Sequence, residues 1–160
     1  MPSAKDDAST DIESLVKSFA SDMTDEAARL RKARLEQQKK DEEAARKDPK
    51  KAAAKKPAAP PEVTFSLSPT KESKSRTPAE QAALLVAGST KVCWSAHMAD
   101  KARHVLMKVD GKVAWEAKKA FGDDFDAFKK KWGEVMKKYG LKNAAGGDGW
   151  PTWDEFHLEL

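Results

Sequence analysis

Asp110-Gly111-Lys112-Val113-Ala114-Trp115-Glu116 is echoed later in the chain by Asp148-Gly149-Trp150-Pro151-Thr152-Trp153-Asp154-Glu155-Phe156. In both stretches Asp-Gly is followed at the same offset by Trp and then an acid, and the two copies start 38 residues apart. A repeat at such a spacing implies two related structural units. Ahead of the first copy, Trp94, Met98, Ala102, Val105 and Val109 recur at helical spacing, which predicts a helix from Lys91 to about Val109 closed by the Asp-Gly turn. A shorter helix carrying Trp115 and Phe121 then reaches Gly122. After Gly122-Asp123, the residues Phe125, Phe128, Trp132, Val135, Met136 and Tyr139 mark one face of a further helix, with Gly140 at its left-handed C-terminal cap. The second copy leads into a short helix or strand ending at Leu160.

Helix, Asp-Gly loop, short helix, then the same again, resembles the order of an EF-hand pair. The resemblance covers roughly residues 91–160 and implies a calcium-independent relative. Aligned on it, Asp148, Gly149, Thr152 and Glu155 match loop positions 5, 6, 9 and 12, but Ala144 and Gly146 stand where oxygen ligands are needed. The first copy puts Leu106, Lys108 and Ala117 at ligand positions. Calcium takes six to eight oxygens, so no metal is expected; Asp148 and Glu155 are the weak candidates. The alternative is a different small helical bundle, in which Asp110-Gly111 is a common turn and Thr152-Trp153-Asp154-Glu155 a helix cap. Either way the expected fold is mainly α, with Trp115 and Trp153 buried at equivalent places.

Composition places this module at the C-terminal end. Of 160 residues, 35% are charged and 39% belong to the hydrophobic set, too little large apolar area to enclose the whole chain. All five tryptophans and the single tyrosine follow residue 90. The net charge of +4 comes from residues 48–78; residues 1–47 and 79–160 nearly balance. Thr77-Pro78-Ala79-Glu80, a capping box with Pro at the first helical position, marks the start of the helical module at 77–160.

Upstream, residues 1–9 read as disordered and 10–47 as a helix whose start is signalled by Thr10-Asp11-Ile12-Glu13. Ile12, Leu15, Val16, Phe19 and Met23 share one face of it, either to pack on the C-terminal module or to dock in a partner's groove or form a short self-associating coiled coil. Residues 48–76 form a Lys/Ala/Pro tract expected to be a disordered linker. Its Lys50, Lys51, Lys55 and Lys56, together with Lys129, Lys130 and Lys131, could attract nucleic acid or acidic tubulin tails. Ser68-Pro69 with Lys71 suits a proline-directed kinase at Ser68.

Chemistry is sparse. Cys93, His97, Asp100 and His104 would line one helix face, but the rise of about 1.5 Å per residue separates the first from the last by roughly 16 Å, too far for one ion. His157 stands apart in the sequence. No catalytic residue and no cofactor is expected. A single cysteine gives no internal disulfide and suits a reducing compartment, cytoplasm or nucleus. The reading that follows is a non-enzymatic adaptor or scaffold protein that docks through its N-terminal helix, with polyanion binding as the alternative.

Overall fold

The computed structural model describes residues 11–47, 57–69, 76–90, 96–143, 147, 150 and 156–160. Its order is α1 (Ile12–Lys47), β1 (Val63–Leu67), α2 (Pro78–Val86), a 3₁₀ turn at Ala96–Ala99, β2 (Ala102–Val109), β3 (Lys112–Ala114), α3 (Ala117–Phe121), a second 3₁₀ turn at Gly122–Asp124, α4 (Phe125–Tyr139) and β4 (His157–Glu159). The expected mainly α bundle is therefore corrected to helices packed on a four-stranded antiparallel sheet.

The correction turns on β2. The helical spacing of Ala102, Val105 and Val109 coexists with a period of two, and the chain adopts the latter: Val105 and Met107 are buried on one face. Asp110-Gly111 is a tight hairpin turn with both residues at positive φ, 49° and 78°, joining β2 to β3. Asp-Gly favours this turn because its twist matches that of antiparallel strands. The first Asp-Gly stretch thus lies between two strands and not between two helices. Trp115 follows β3 and is 61% exposed, contrary to its expected burial. Trp153 and Asp148-Gly149 lie outside the described residues.

Strand β1, Val-Thr-Phe-Ser-Leu, falls within the stretch expected to be a disordered linker. It pairs with β2 from Val63↔Val109 to Leu67↔Val105, so its odd residues share the core face with Val105 and Met107. The other edge of β2 is divided between β3, at Met107 to Val109, and β4, at Ala102 to His104.

Helix α1 closes the structure. Asp11 caps its start, its carboxylate accepting from the Glu13 N–H at 3.1 Å and the Ser14 hydroxyl at 3.0 Å. Ile12, Val16, Phe19 and Met23 are buried and Leu15 is half-buried against the same core, so the stripe packs on the chain's own sheet and is not presented to a partner groove. Phe19 meets Trp132 of α4 edge-on at 4.6 Å, and Phe65 lies between Trp132, Phe128 and Phe121. Aromatic pairs in such geometry add about 0.5–1.5 kcal/mol beyond area burial.

The same helix also caps the sheet edge. Phe65 of β1 turns its N–H and C=O away from β2, and Thr24 Oγ1 accepts from that N–H at 2.8 Å and lies 3.1 Å from that carbonyl. A strand edge left open is a template for unwanted pairing, and Thr24 covers this one. Asp22, one turn from Phe19, accepts from Lys138 at 2.7 Å and from the Tyr139 hydroxyl at 2.9 Å, tying α1 to the end of α4. The Lys138 ammonium is the main cause holding the Asp22 carboxyl below its usual range.

Several sequence signals hold. Thr77 and Glu80 form the capping box with Pro78 at the first helical position, and Gly140 ends α4 at φ 66°. Asp123, just ahead of α4, pairs with Arg34 of α1 at 3.2 Å.

Two predictions follow from this packing. Phe19→Ala should lower the stability of the whole chain by about 3–5 kcal/mol in denaturant unfolding, the cost of a large core truncation; a loss below about 1 kcal/mol would mean that α1 is not part of the core. Asp22→Asn should cost up to about 1 kcal/mol at neutral pH, as for a largely exposed pair. Because the folded-state pKa of Asp22 is depressed, its contribution is present above the unfolded pKa of about 3.9 and disappears as pH falls through the folded value. Melting curves of the two proteins should therefore converge in acid, and a constant gap would contradict this role.

Candidate metal centre

The chain contains three histidines, and all three meet. His104 and His157 are direct cross-strand partners in the β2–β4 ladder, which places their side chains side by side on one face. Period two along β2 sends that face away from buried Val105 and Met107, so the histidines lie on the opposite side of the sheet from the aromatic core.

His97 arrives from the turn just before β2. Its carbonyl accepts from the Asp100 N–H at 3.2 Å and from the Arg76 N–H at 2.9 Å, the latter anchoring the turn to the segment that leads into α2. Asp100 takes a positive φ of 57°, reversing the chain into β2, and its carboxylate accepts from buried Arg103 at 2.6 Å. That bend folds His97 back over His104. Their rings stack at 5.1 Å between centroids, and the His157 ring stands edge-on to both, 5.0 Å from His97 and 5.1 Å from His104.

One nitrogen from each ring lies within 4.8 Å of the others. Zinc–nitrogen bonds of about 2.0–2.1 Å in tetrahedral geometry would set nitrogen separations near 3.3 Å, so the three rings would draw closer together around an ion. His97 and His157 are buried whereas His104 is half-exposed, so the cluster has one side toward solvent. Among the described residues only these three imidazoles converge; being neutral, they would leave the full +2 charge on a bound ion, and such an ion would lower the pKa of a water bound beside them to about 7.

Sequence spacing puts His97 and His104 on one helix with His157 apart. The strand, the reversal at Asp100 and the β4 pairing replace that arrangement. Of its companions, Asp100 is engaged with Arg103, and Cys93 lies outside the described residues. The information that joins His157 to the others is a long-range strand pairing, invisible to local spacing.

The remaining sequence candidates lie elsewhere. Ser68 is 5% exposed, and its N–H donates to the His104 carbonyl at 2.9 Å, continuing the β1–β2 ladder. On α4, Lys129 pairs with Asp126 at 2.7 Å and Lys131 with Glu134 at 3.5 Å, whereas Lys130 is exposed. Lys50, Lys51, Lys55, Lys56, Asp148 and Glu155 lie outside the described residues. No described helix is long and apolar enough to cross a membrane.

No protein-family model matches the chain, and no curated protein matches it. Among solved structures it is similar to the L-Ala D-Glu endopeptidase ChiX of Serratia marcescens, at 22% identity over 62% of this chain and 68% of that one, with a TM-score of 0.41. A likeness at that level carries no argument about activity, and the functional reading rests on the histidines themselves.

Proposed function

We propose that His97, His104 and His157 bind a zinc-type divalent ion and that the ion's open coordination position activates water for hydrolytic chemistry. The observation that carries this reading is the convergence of every histidine in the chain from three separate elements on one partly buried spot. Imidazole suits zinc and its neighbours among the transition metals, whereas calcium and magnesium require oxygen ligands. Three protein ligands with one open position are the arrangement of catalytic zinc, in contrast to the closed four-ligand sets of structural sites.

In this reading the chain's own part is positional. β2 and β4 hold two ligands in register, and the turn at Ala96–Ala99 brings the third. Burial of His97 and His157 limits water to the His104 side, which sets the direction from which a substrate would approach. The stripe through which the adaptor reading had the chain dock, Ile12, Val16, Phe19 and Met23, lies in the chain's own core.

Titration of the whole, metal-free chain with zinc, followed by competition with a chelator, should give one site per chain. His97→Ala, His104→Ala and His157→Ala should each weaken that site at least 100-fold while leaving the far-ultraviolet circular dichroism unchanged. Cobalt loading should give the intense visible bands of a four-coordinate ion. No binding by the parent chain, or binding that survives all three substitutions, would overturn the proposal.

A further inference from the structure

We propose that Glu159 is the positioning residue of this centre: its carboxylate accepts a hydrogen bond from His157 Nε2–H and so makes Nδ1 the nitrogen that holds the ion. The inference rests on the three-histidine reading and goes one shell beyond it.

His157 and Glu159 are two residues apart on β4, and period two puts both side chains on the same face of the sheet. Glu159 Oε2 lies 3.2 Å from His157 Nε2. The carboxylate is not part of the group of converging ligand atoms, which comprises the three histidines alone. It therefore contacts His157 without joining the converging group.

The chemistry of the pair fixes the tautomer. A neutral imidazole has one N–H and one lone pair, and an ionised carboxylate can only accept. With the carboxylate at Nε2, the proton belongs on Nε2 and the lone pair on Nδ1. The same hydrogen bond makes the imidazole a stronger donor to a metal and favours one orientation of the ring. His157 is 9% and Glu159 22% exposed at the side chain, so the bond is shielded from competing water.

The backbone of Glu159 is equally fixed. Its N–H donates to the Lys142 carbonyl at 2.9 Å, and its carbonyl accepts from the Lys142 N–H at 2.7 Å, while its Cα pairs with Ala102 of β2. The root of the carboxylate is thus clamped between β2 and the segment that follows α4. A side chain on so rigid a base can aim a ligand without reordering cost.

The test uses the full chain, zinc competed with a chelator, and two variants. Glu159→Ala should weaken zinc 10- to 100-fold, and Glu159→Gln, which keeps an acceptor oxygen without the charge, should recover part of the loss. Long-range ¹H–¹⁵N correlation spectra of the zinc-loaded parent chain should show His157 bound through Nδ1 with the proton on Nε2. That spectrum needs no substitution, so it decides the matter even if a variant fails to fold. Metal bound at Nε2 of His157, or an alanine variant that binds within twofold of the parent, would overturn the proposal and leave the three-histidine centre standing. A parent chain that binds no zinc would overturn the centre and the role of Glu159 together.

Discussion

Strand β2 has to satisfy two faces and two edges at once. Its odd residues Val105 and Met107 fill the core, and the even residue His104 faces the other way toward His97 and His157. One edge carries β1 along its length; the other is shared by β3 and β4. Because side chains alternate strictly, a one-residue slip of β2 against its neighbours would turn His104 toward the phenylalanines and bring Val105 to the histidine cluster, and a slip of β4 alone would take His157 away from His104. The apolar cost of that slip fixes the register, and the register fixes the site. Packing energy on one side of the sheet thereby determines chemistry on the other.

The core that enforces this is aromatic and long-range. Phe19 comes from α1, Phe65 from β1, Phe121 from α3, and Phe128 and Trp132 from α4. Full burial of each such side chain contributes about 1.5–3 kcal/mol. Helix α1 contributes twice, by filling the face of the sheet and by covering the edge of β1 with Thr24. That double use explains why its apolar stripe is narrow and ends near Leu30: beyond it the helix runs past the sheet, and its charged residues pair with one another or with Asp123 and Asp124.

What could be read from the sequence was local. The Thr77–Glu80 box, the Gly140 cap and the buried face Phe128, Trp132, Val135 and Met136 follow from interactions within a few residues, and the structure contains them. β2 is ambiguous in the sequence because Ala102, Val105 and Val109 also fit a helical period, and Asp110-Gly111 is as much a hairpin signal as a helix end. β1 was hidden by the proline and lysine residues on either side of it, although Val63, Phe65 and Leu67 alternate with polar residues. The centre could not be read, since His157 joins it only through the pairing His104↔His157, 53 positions apart in sequence. Three histidines in a chain with two of them seven residues apart was the one available hint.

The account reduces to a claim about coordination: a sheet register held by a core on one face assembles a three-imidazole set on the other. X-ray absorption spectroscopy of the zinc-loaded chain measures this most directly. The account predicts a four-coordinate ion with nitrogen and oxygen neighbours near 2.0 Å and multiple-scattering features of three imidazoles. A sulfur neighbour near 2.3 Å, which would place the ion at Cys93, or a six-coordinate oxygen shell without imidazole, would contradict it.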